Sequence, residues 1–384
     1  MNNDKKVHLP ILLFGIFIIG IFMCNHRFLG ITEYYYFPII ILSIFLFKIK
    51  KKFKLNYEHY LIIYFLIFLV LNLIRYQVAF NSGVFISYFL FALLFLIISL
   101  QKINKEDLRY LISCYIISSI IISLMIIIFR KELDGWQGTY RYTIKFINQV
   151  YIDPNFVGAF INIGAIFSFN RLLNTKDKLL YAIVTLIIMV AVFLTGSRGA
   201  MLGMFLGIGI MFVNKTSIKK IILFITLSTI IFALIYIFLP QEILDRFFKN
   251  SYLDGSNLHR LKNWHMGILA FLKKPIIGYG LIDSGSILGR YLGYNSAIHN
   301  TYITWIVQLG ILGFFPLFGI CLNAIIKSIK LKSNVLKGVL ISMFFTSIMI
   351  EQNLSLTFWI IIIISYLIIN YEKRHNFINV DEIL

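Results

Sequence analysis

The chain has 384 residues, of which 59% are hydrophobic and 14% charged, with a formal net charge of +19. A soluble domain keeps roughly a quarter of its residues charged, and apolar runs here leave no room for a large one. The positive charge does not point to nucleic acid, because the lysines fall in short clusters between apolar segments, as in membrane proteins.

The first apolar run starts at Leu9, after Lys5 and Lys6. No A-x-A cleavage site follows it and further runs come after, so it is expected to remain as a first helix. The apolar runs fall at 9–24, 31–47, 57–75, 84–100, 110–129, 155–171, 179–196, 199–214, 221–239, 300–322, 336–352 and 355–370. Each is long enough to cross hydrocarbon as a helix, for which about 20 residues suffice. None shows the alternation of a barrel strand, and a backbone in lipid must otherwise bond to itself, so the prediction is helical. The chain therefore reads as an all-α polytopic membrane protein of about 12 transmembrane helices. Residues 1–384 form a single membrane domain on this reading. Cys24, Cys114 and Cys321 all lie inside apolar runs without CxxC spacing, so they read as buried small residues.

Orientation follows from the basic residues. With the N-terminus inside, the short cytoplasmic segments hold Lys5–Lys6, Lys48/50/51/52/54, Lys102, Lys105, Arg109, Arg171, Lys176 and Lys178. They also hold Lys215, Lys219, Lys220, Lys327, Lys330, Lys332, Lys337, Lys373 and Arg374. The opposite orientation breaks the positive-inside rule at nearly every loop, so both termini are expected in the cytoplasm. Two extracytoplasmic segments exceed a simple turn: 130–154, and 240–299 between helices 9 and 10. Long loops carrying polar and aromatic residues are where function concentrates. Within the second, Leu261, Trp264, Ile268 and Phe271 recur at helical spacing from His259 to Phe271. That pattern suits an amphipathic helix, lying on the membrane interface or capping the bundle.

Arg198 stands in Thr-Gly-Ser-Arg-Gly-Ala at 195–200, a break between two apolar runs near the outer surface. An arginine there either snorkels to a lipid phosphate or marks a function. Gly196 and Gly199 would let backbone and ligand approach closely. His299-Asn300 closes the long loop and opens the helix that follows. A neutral imidazole can accept a proton from a sugar hydroxyl, though a histidine at a helix start can also be a cap. Arg260, preceded by His259, lies in the amphipathic segment, and Lys-Lys-Pro-Ile-Ile-Gly-Tyr-Gly at 273–280 reads as a turn. Arg141 follows Asp134-Gly-Trp-Gln-Gly138. Guanidinium groups bind phosphate oxygens in pairs, so several converging arginines suggest a phosphate-bearing ligand. The chain has no P-loop, HExxH or G-x-S-x-G motif, and Glu132 and Asp134 alone make a thin metal site. Carboxylates within the spans are nearly absent, Glu351 near a helix end being the main one.

Taken in order, Asp153-Pro-Asn155, Thr-Gly-Ser197-Arg198-Gly199, Arg260, Pro275-Ile-Ile-Gly278-Tyr-Gly280, His299-Asn-Thr-Tyr302 and Gly310-Ile-Leu-Gly313 form a series. The series resembles the O-antigen ligase and Wzy-type surface polysaccharide polymerase superfamily, over residues 136 to 360. The resemblance implies a glycosyltransferase of GT-C-type architecture in the bacterial cytoplasmic membrane, using an undecaprenyl-pyrophosphate-linked oligosaccharide outside the cytoplasm. It implies His299 as general base and Arg198 and Arg260 as pyrophosphate ligands, with Arg141 a looser match. Ser197, Asn300, Tyr302 and Tyr279 stand in the same motifs as supporting residues. No cofactor, metal or nucleic acid is called for, and the partners are the lipid-linked substrate, membrane lipids and, as a family expectation, a chain-length regulator. The motifs do not separate a polymerase of O-antigen or capsule from a ligase onto the lipid A-core of lipopolysaccharide. A composition rich in Lys, Ile and Asn suggests an AT-rich genome, often of a cell without an outer membrane, which favours polymerase. A lipid-linked oligosaccharide flippase is the reading from another class, although no matched pair of broken helices marks one.

Overall fold

A computed structural model describes residues 7–20, 27–28, 31–32, 55–75, 81–129, 141–144, 152–213, 229, 255–331, 333–375 and 381. The expected span 221–239 lies outside them apart from Thr229, as do most of 130–154 and all of 240–254. Lys5, Lys6, Cys24 and the Asp134–Gly138 motif also lie outside the described residues. Of the expected span 31–47, only Ile31 and Thr32 are described. They pair as a strand with Arg27–Phe28, consistent with the β preference of branched side chains, so a helix does not begin at residue 31.

Twelve helices are described: α1 (Leu9–Gly20), α2 (Tyr57–Arg75), α3 (Ser82–Ser99), α4 (Lys105–Phe129), α5 (Pro154–Asn174) and α6 (Lys178–Leu194). They continue with α7 (Arg198–Val213), α8 (Gly255–Lys273), α9 (Ser284–Leu292), α10 (Thr301–Lys330), α11 (Asn334–Met349) and α12 (Leu356–Arg374). By length and composition α2, α3, α4, α5, α10 and α12 can each cross a membrane, and α1, α6, α7 and α11 are shorter apolar helices. Ten of the twelve expected spans thus coincide with apolar helices. The last of them, α12, is buried along nearly its whole length and forms the centre of the bundle. Cys114 and Cys321 are buried free thiols.

Hydrogen bonds sort the helix ends into two sets. At one, His8 meets Asp107 at the start of α4, and Lys327 lies 2.6 Å from Glu58 at the start of α2. Asn370 donates to the Ser99 carbonyl there, and Asp381 caps α11 through Ser333 and Asn334. Among the described residues this end carries Lys102, Lys105, Lys176, Lys178, Lys327, Lys330 and Lys373, whereas the clusters at 48–54 and 215–220 lie outside them. At the other end stand the starts of α3, α5, α7, α10 and α12, where the site is built.

Two backbone contacts set that end's geometry. Between helices in lipid there is no hydrophobic drive, so close backbone approach does the work. Gly199, Gly203 and Gly207 recur every fourth residue on α7 and turn one bare stripe toward α11. A Cβ on Gly207 would come within 2.8 Å of the Gly338 carbonyl, and one on Gly203 within 2.8 Å of Thr346. The second contact is the break in α10 at Gly310, which has φ 63°. There the 275–280 segment pairs with the opened helix: Tyr279 and Gly280 donate to the Val307 and Gln308 carbonyls, and Ile311 donates to Pro275. The segment expected to be a simple turn is therefore a docking strand for α10. Gly278, at φ 66°, lies against Gly310 so closely that a Cβ on it would come within 2.6 Å of the Gly310 nitrogen, and one on Gly310 within 2.5 Å of the Gly278 nitrogen. The expected amphipathic segment lies within α8, with its apolar residues divided. Trp264 and Phe271 pack inward against Ala270, Tyr279 and Val307, while Leu261 and Ile268 are exposed.

Candidate active site

The turn between α6 and α7 is Thr195-Gly-Ser-Arg198, with Gly196 at φ 60°. That left-handed turn needs glycine. It is held by Asn155, in the first turn of α5, which is fixed in turn by the Asp153 cap at 2.7 Å. The Asn155 Oδ1 accepts from the Ser197 hydroxyl at 3.1 Å and from the Arg141 guanidinium at 2.8 Å. Arg141 also donates to the Thr195 carbonyl at 3.0 Å and is only 6% exposed. Arg141 and Ser197 thus brace the turn from behind, and Arg198 emerges from it at the N-terminus of α7.

The start of α8 ties this turn to the end of the 255–299 segment. The Arg198 Nη2 donates to Asn257 at 3.0 Å, and Arg260 stands one helical turn further on. Buried Asn263 donates to the Ser296 hydroxyl and the Ala297 carbonyl at 2.8 and 2.7 Å, pinning the chain just before His299. His259 lies 3.4 Å from the same Ser296 hydroxyl. His299 itself has φ 58°, the one described non-glycine residue in the left-handed region. Such conformations cost energy and gather at functional sites. Asn300 follows as the cap of α10, accepting from the Tyr302 and Ile303 amides at 3.0 Å each.

Electrostatics keep the imidazole neutral. Burial lowers the His299 pKa from its usual value, the Arg260 charge lowers it further, and His259 adds to that; the Asp153 carboxylate opposes them. The starts of α5, α7 and α10 stand at this end, each with the partial positive charge of its helix dipole, although the Asp153 and Asn300 caps take first-turn amides of α5 and α10. Arg198 and Arg260 add full charges. Such a surface suits an anion, and a neutral imidazole beside it can take a proton.

Tyr302 and Tyr279 stand back from this cluster. The Tyr302 hydroxyl donates to the Phe344 carbonyl and its ring stacks on Phe344, joining α10 to α11. Tyr279 is 5% exposed; its hydroxyl bonds Tyr291 and its ring carries Lys274. Both support the frame around the Gly310 break. Sequence reasoning passed over Asn257 and named Asn155 only within its motif, since nothing in a lone asparagine separates a bridge from a solvated side chain. Asp153 was visible only as part of a motif. Glu351, noted only for its rarity, lies in the α11–α12 connection against His299. Its carboxyl lies near the His299 main-chain N–H and the Ser284 hydroxyl, and burial with nearby Asp283 pushes it up to about 7.

Residues 182–318 match the family model for Wzy_C, the O-antigen ligase family. The matched stretch runs from within α6 to within α10 and includes Arg198, Arg260 and His299. None of the curated proteins matches the chain.

Proposed function

From an O-antigen ligase family domain across residues 182–318, we propose a glycosyltransferase that joins undecaprenyl-pyrophosphate-linked repeat units into a surface polysaccharide. The observation that carries this reading is His299, held neutral beside Arg260, with Arg198 joined to the same helix through Asn257. No nucleotide sugar is supplied outside the cytoplasm, so a transferase working there needs a donor already activated on a lipid. His299 takes the proton of the acceptor sugar hydroxyl as that oxygen attacks the donor's anomeric carbon. The new glycosidic bond forms as the bond from the anomeric carbon to the pyrophosphate oxygen breaks. Attack from the opposite face inverts that carbon. Arg198, Arg260 and the helix N-termini take up the charge growing on undecaprenyl pyrophosphate, a role that preorganised donors perform best. Arg141, Ser197 and Asn300 hold these groups in place. The lysine-rich end then faces the cytoplasm and the site faces outward.

The description of the matched family favours a second reading, ligation of a finished glycan to another acceptor. Deleting the gene and weighing the lipid-linked intermediates and surface glycan separates them. Single repeat units, on the lipid or on the surface, mean polymerase. Full-length chains left on undecaprenyl pyrophosphate mean ligase. Repeat units held on the cytoplasmic face contradict both and indicate a flippase.

A further inference from the structure

The α11–α12 connection touches His299 without any assigned part in the reaction. Thr301, two residues after His299, grips it on both sides of Glu351. The Thr301 hydroxyl donates to the Ile350 carbonyl at 2.8 Å and accepts from the Gln352 amide at 2.8 Å. The clamp places the half-buried Glu351 beside the 299–301 stretch, with its carboxyl near the His299 main-chain N–H. The other carboxyl oxygen, Oε2, is shut away from solvent with no hydrogen-bond partner. A left-handed histidine has no helix or ladder to receive its N–H, so an acceptor must come from elsewhere in the fold. Strain of this kind persists only where the surroundings over-determine it.

We infer that Glu351 is a positioning residue for His299: its carboxylate accepts the main-chain N–H and holds the residue in the left-handed conformation that aims the imidazole at the acceptor. The inference rests on the proposed role of His299 as base. It asks for a charged oxygen in a setting that disfavours charge, and the Glu351 carboxyl titrates near 7 accordingly. The charged and titratable groups facing the pair are Asp283 toward Glu351, and Arg260, His259 and Asp153 toward His299. When Glu351 takes up a proton the acceptor weakens, so activity falls as pH drops through about 7. His299, depressed below its usual value, adds a second fall at lower pH.

The test compares Glu351→Gln and Glu351→Ala in purified protein, with kcat and KM for the lipid-linked donor read across pH and Tm in detergent. The Gln oxygen accepts an N–H without titrating. Glu351→Gln is therefore expected to keep kcat within a few-fold, to lose the fall near pH 7 and to melt no lower than wild type. Glu351→Ala is expected to lose about ten- to a hundredfold in kcat with KM little changed, as misplaced catalytic groups do. Wild-type kcat in the Ala variant, or a wild-type fall near pH 7 in the Gln variant, would overturn the inference. The Gln profile decides the matter even where the Ala variant does not fold. A fully active His299→Ala protein sinks the proposed reaction itself, whereas an inactive His299→Ala beside a fully active Glu351→Ala sinks only the role of Glu351.

Discussion

His299 lies between charges of opposite sign, and each should move its titration in a stated direction. Only the neutral imidazole accepts a proton, so kcat/KM falls as pH drops through its pKa. Arg260 holds that pKa down and Asp153 pulls it up. Arg260→Gln should therefore shift the lower-pH limb of kcat/KM upward, and Asp153→Asn should shift it downward. A limb that stays put in both would show that another group sets it. Asn155 carries a different kind of load, because one oxygen satisfies both the Arg141 guanidinium and the Ser197 hydroxyl. Asn155→Ala removes one acceptor of the buried Arg141 guanidinium together with that of the Ser197 hydroxyl and should cost about 1–3 kcal/mol of stability. Asn155→Asp keeps the acceptor and should lose less. Thermal melts in detergent distinguish the two, and equal melting of the Ala variant and wild type would refute the bridge.

Among the elements, glycines with a backbone reason can be told from those without. Gly278 and Gly310 both have φ above 60°, and a Cβ on either would come within 2.4 Å of backbone across the contact, that of Gln308 or of Ile276 and Ile277. Alanine at either should cost about 3 kcal/mol or more, through strain and overpacking together. On α7, Gly207→Ala should also destabilise, since its Cβ meets the Gly338 carbonyl. Gly209, two residues on, has nothing within 4 Å, so Gly209→Ala should be neutral or stabilising by about 1 kcal/mol. The same ranking for Gly207 and Gly209 would undo the close-packing account. These contacts explain what could be read beforehand. Apolar runs announce helices because lipid forbids most other backbones, and ten runs coincide with apolar helices. The α10 break was not legible, because a Gly-Ile-Leu-Gly stretch reads equally well as packed helix. Its partner, 275–280, is thirty residues away and reads locally as a turn. The end of α10 was also missed, since Asn323 and Lys327 look like a loop until Glu58 pairs with them.

For the whole molecule, the alternating direction of the described helices separates an end carrying Lys102, Lys105, Lys327, Lys330 and Lys373 from the site end, and the positive-inside rule puts the first in the cytoplasm as an expectation. The site was legible as a set of motifs because Arg198, Arg260 and His299 are costly near a membrane and chemically distinctive. Of the neutral side chains around them, Ser197, Asn300 and Asn155 came only with those motifs and Asn257 not at all, since only packing reveals a bridge. The orientation is testable with Ser286→Cys, exposed at the site end, and Lys330→Cys, exposed at the basic end. In intact cells a membrane-impermeant maleimide should label only the first, and labelling of Lys330→Cys alone would invert the topology. The proposed chemistry is transfer of a glycan from a polyprenyl pyrophosphate with His299 as base. It is tested most directly with purified protein in nanodiscs and a defined undecaprenyl-pyrophosphate-linked repeat unit. Wild type should form longer glycans and release one undecaprenyl pyrophosphate per new linkage, with His299→Ala slower by about a hundredfold or more. A His299→Ala protein working at the wild-type rate, or lipid-linked units crossing the bilayer with no linkage formed, would contradict it.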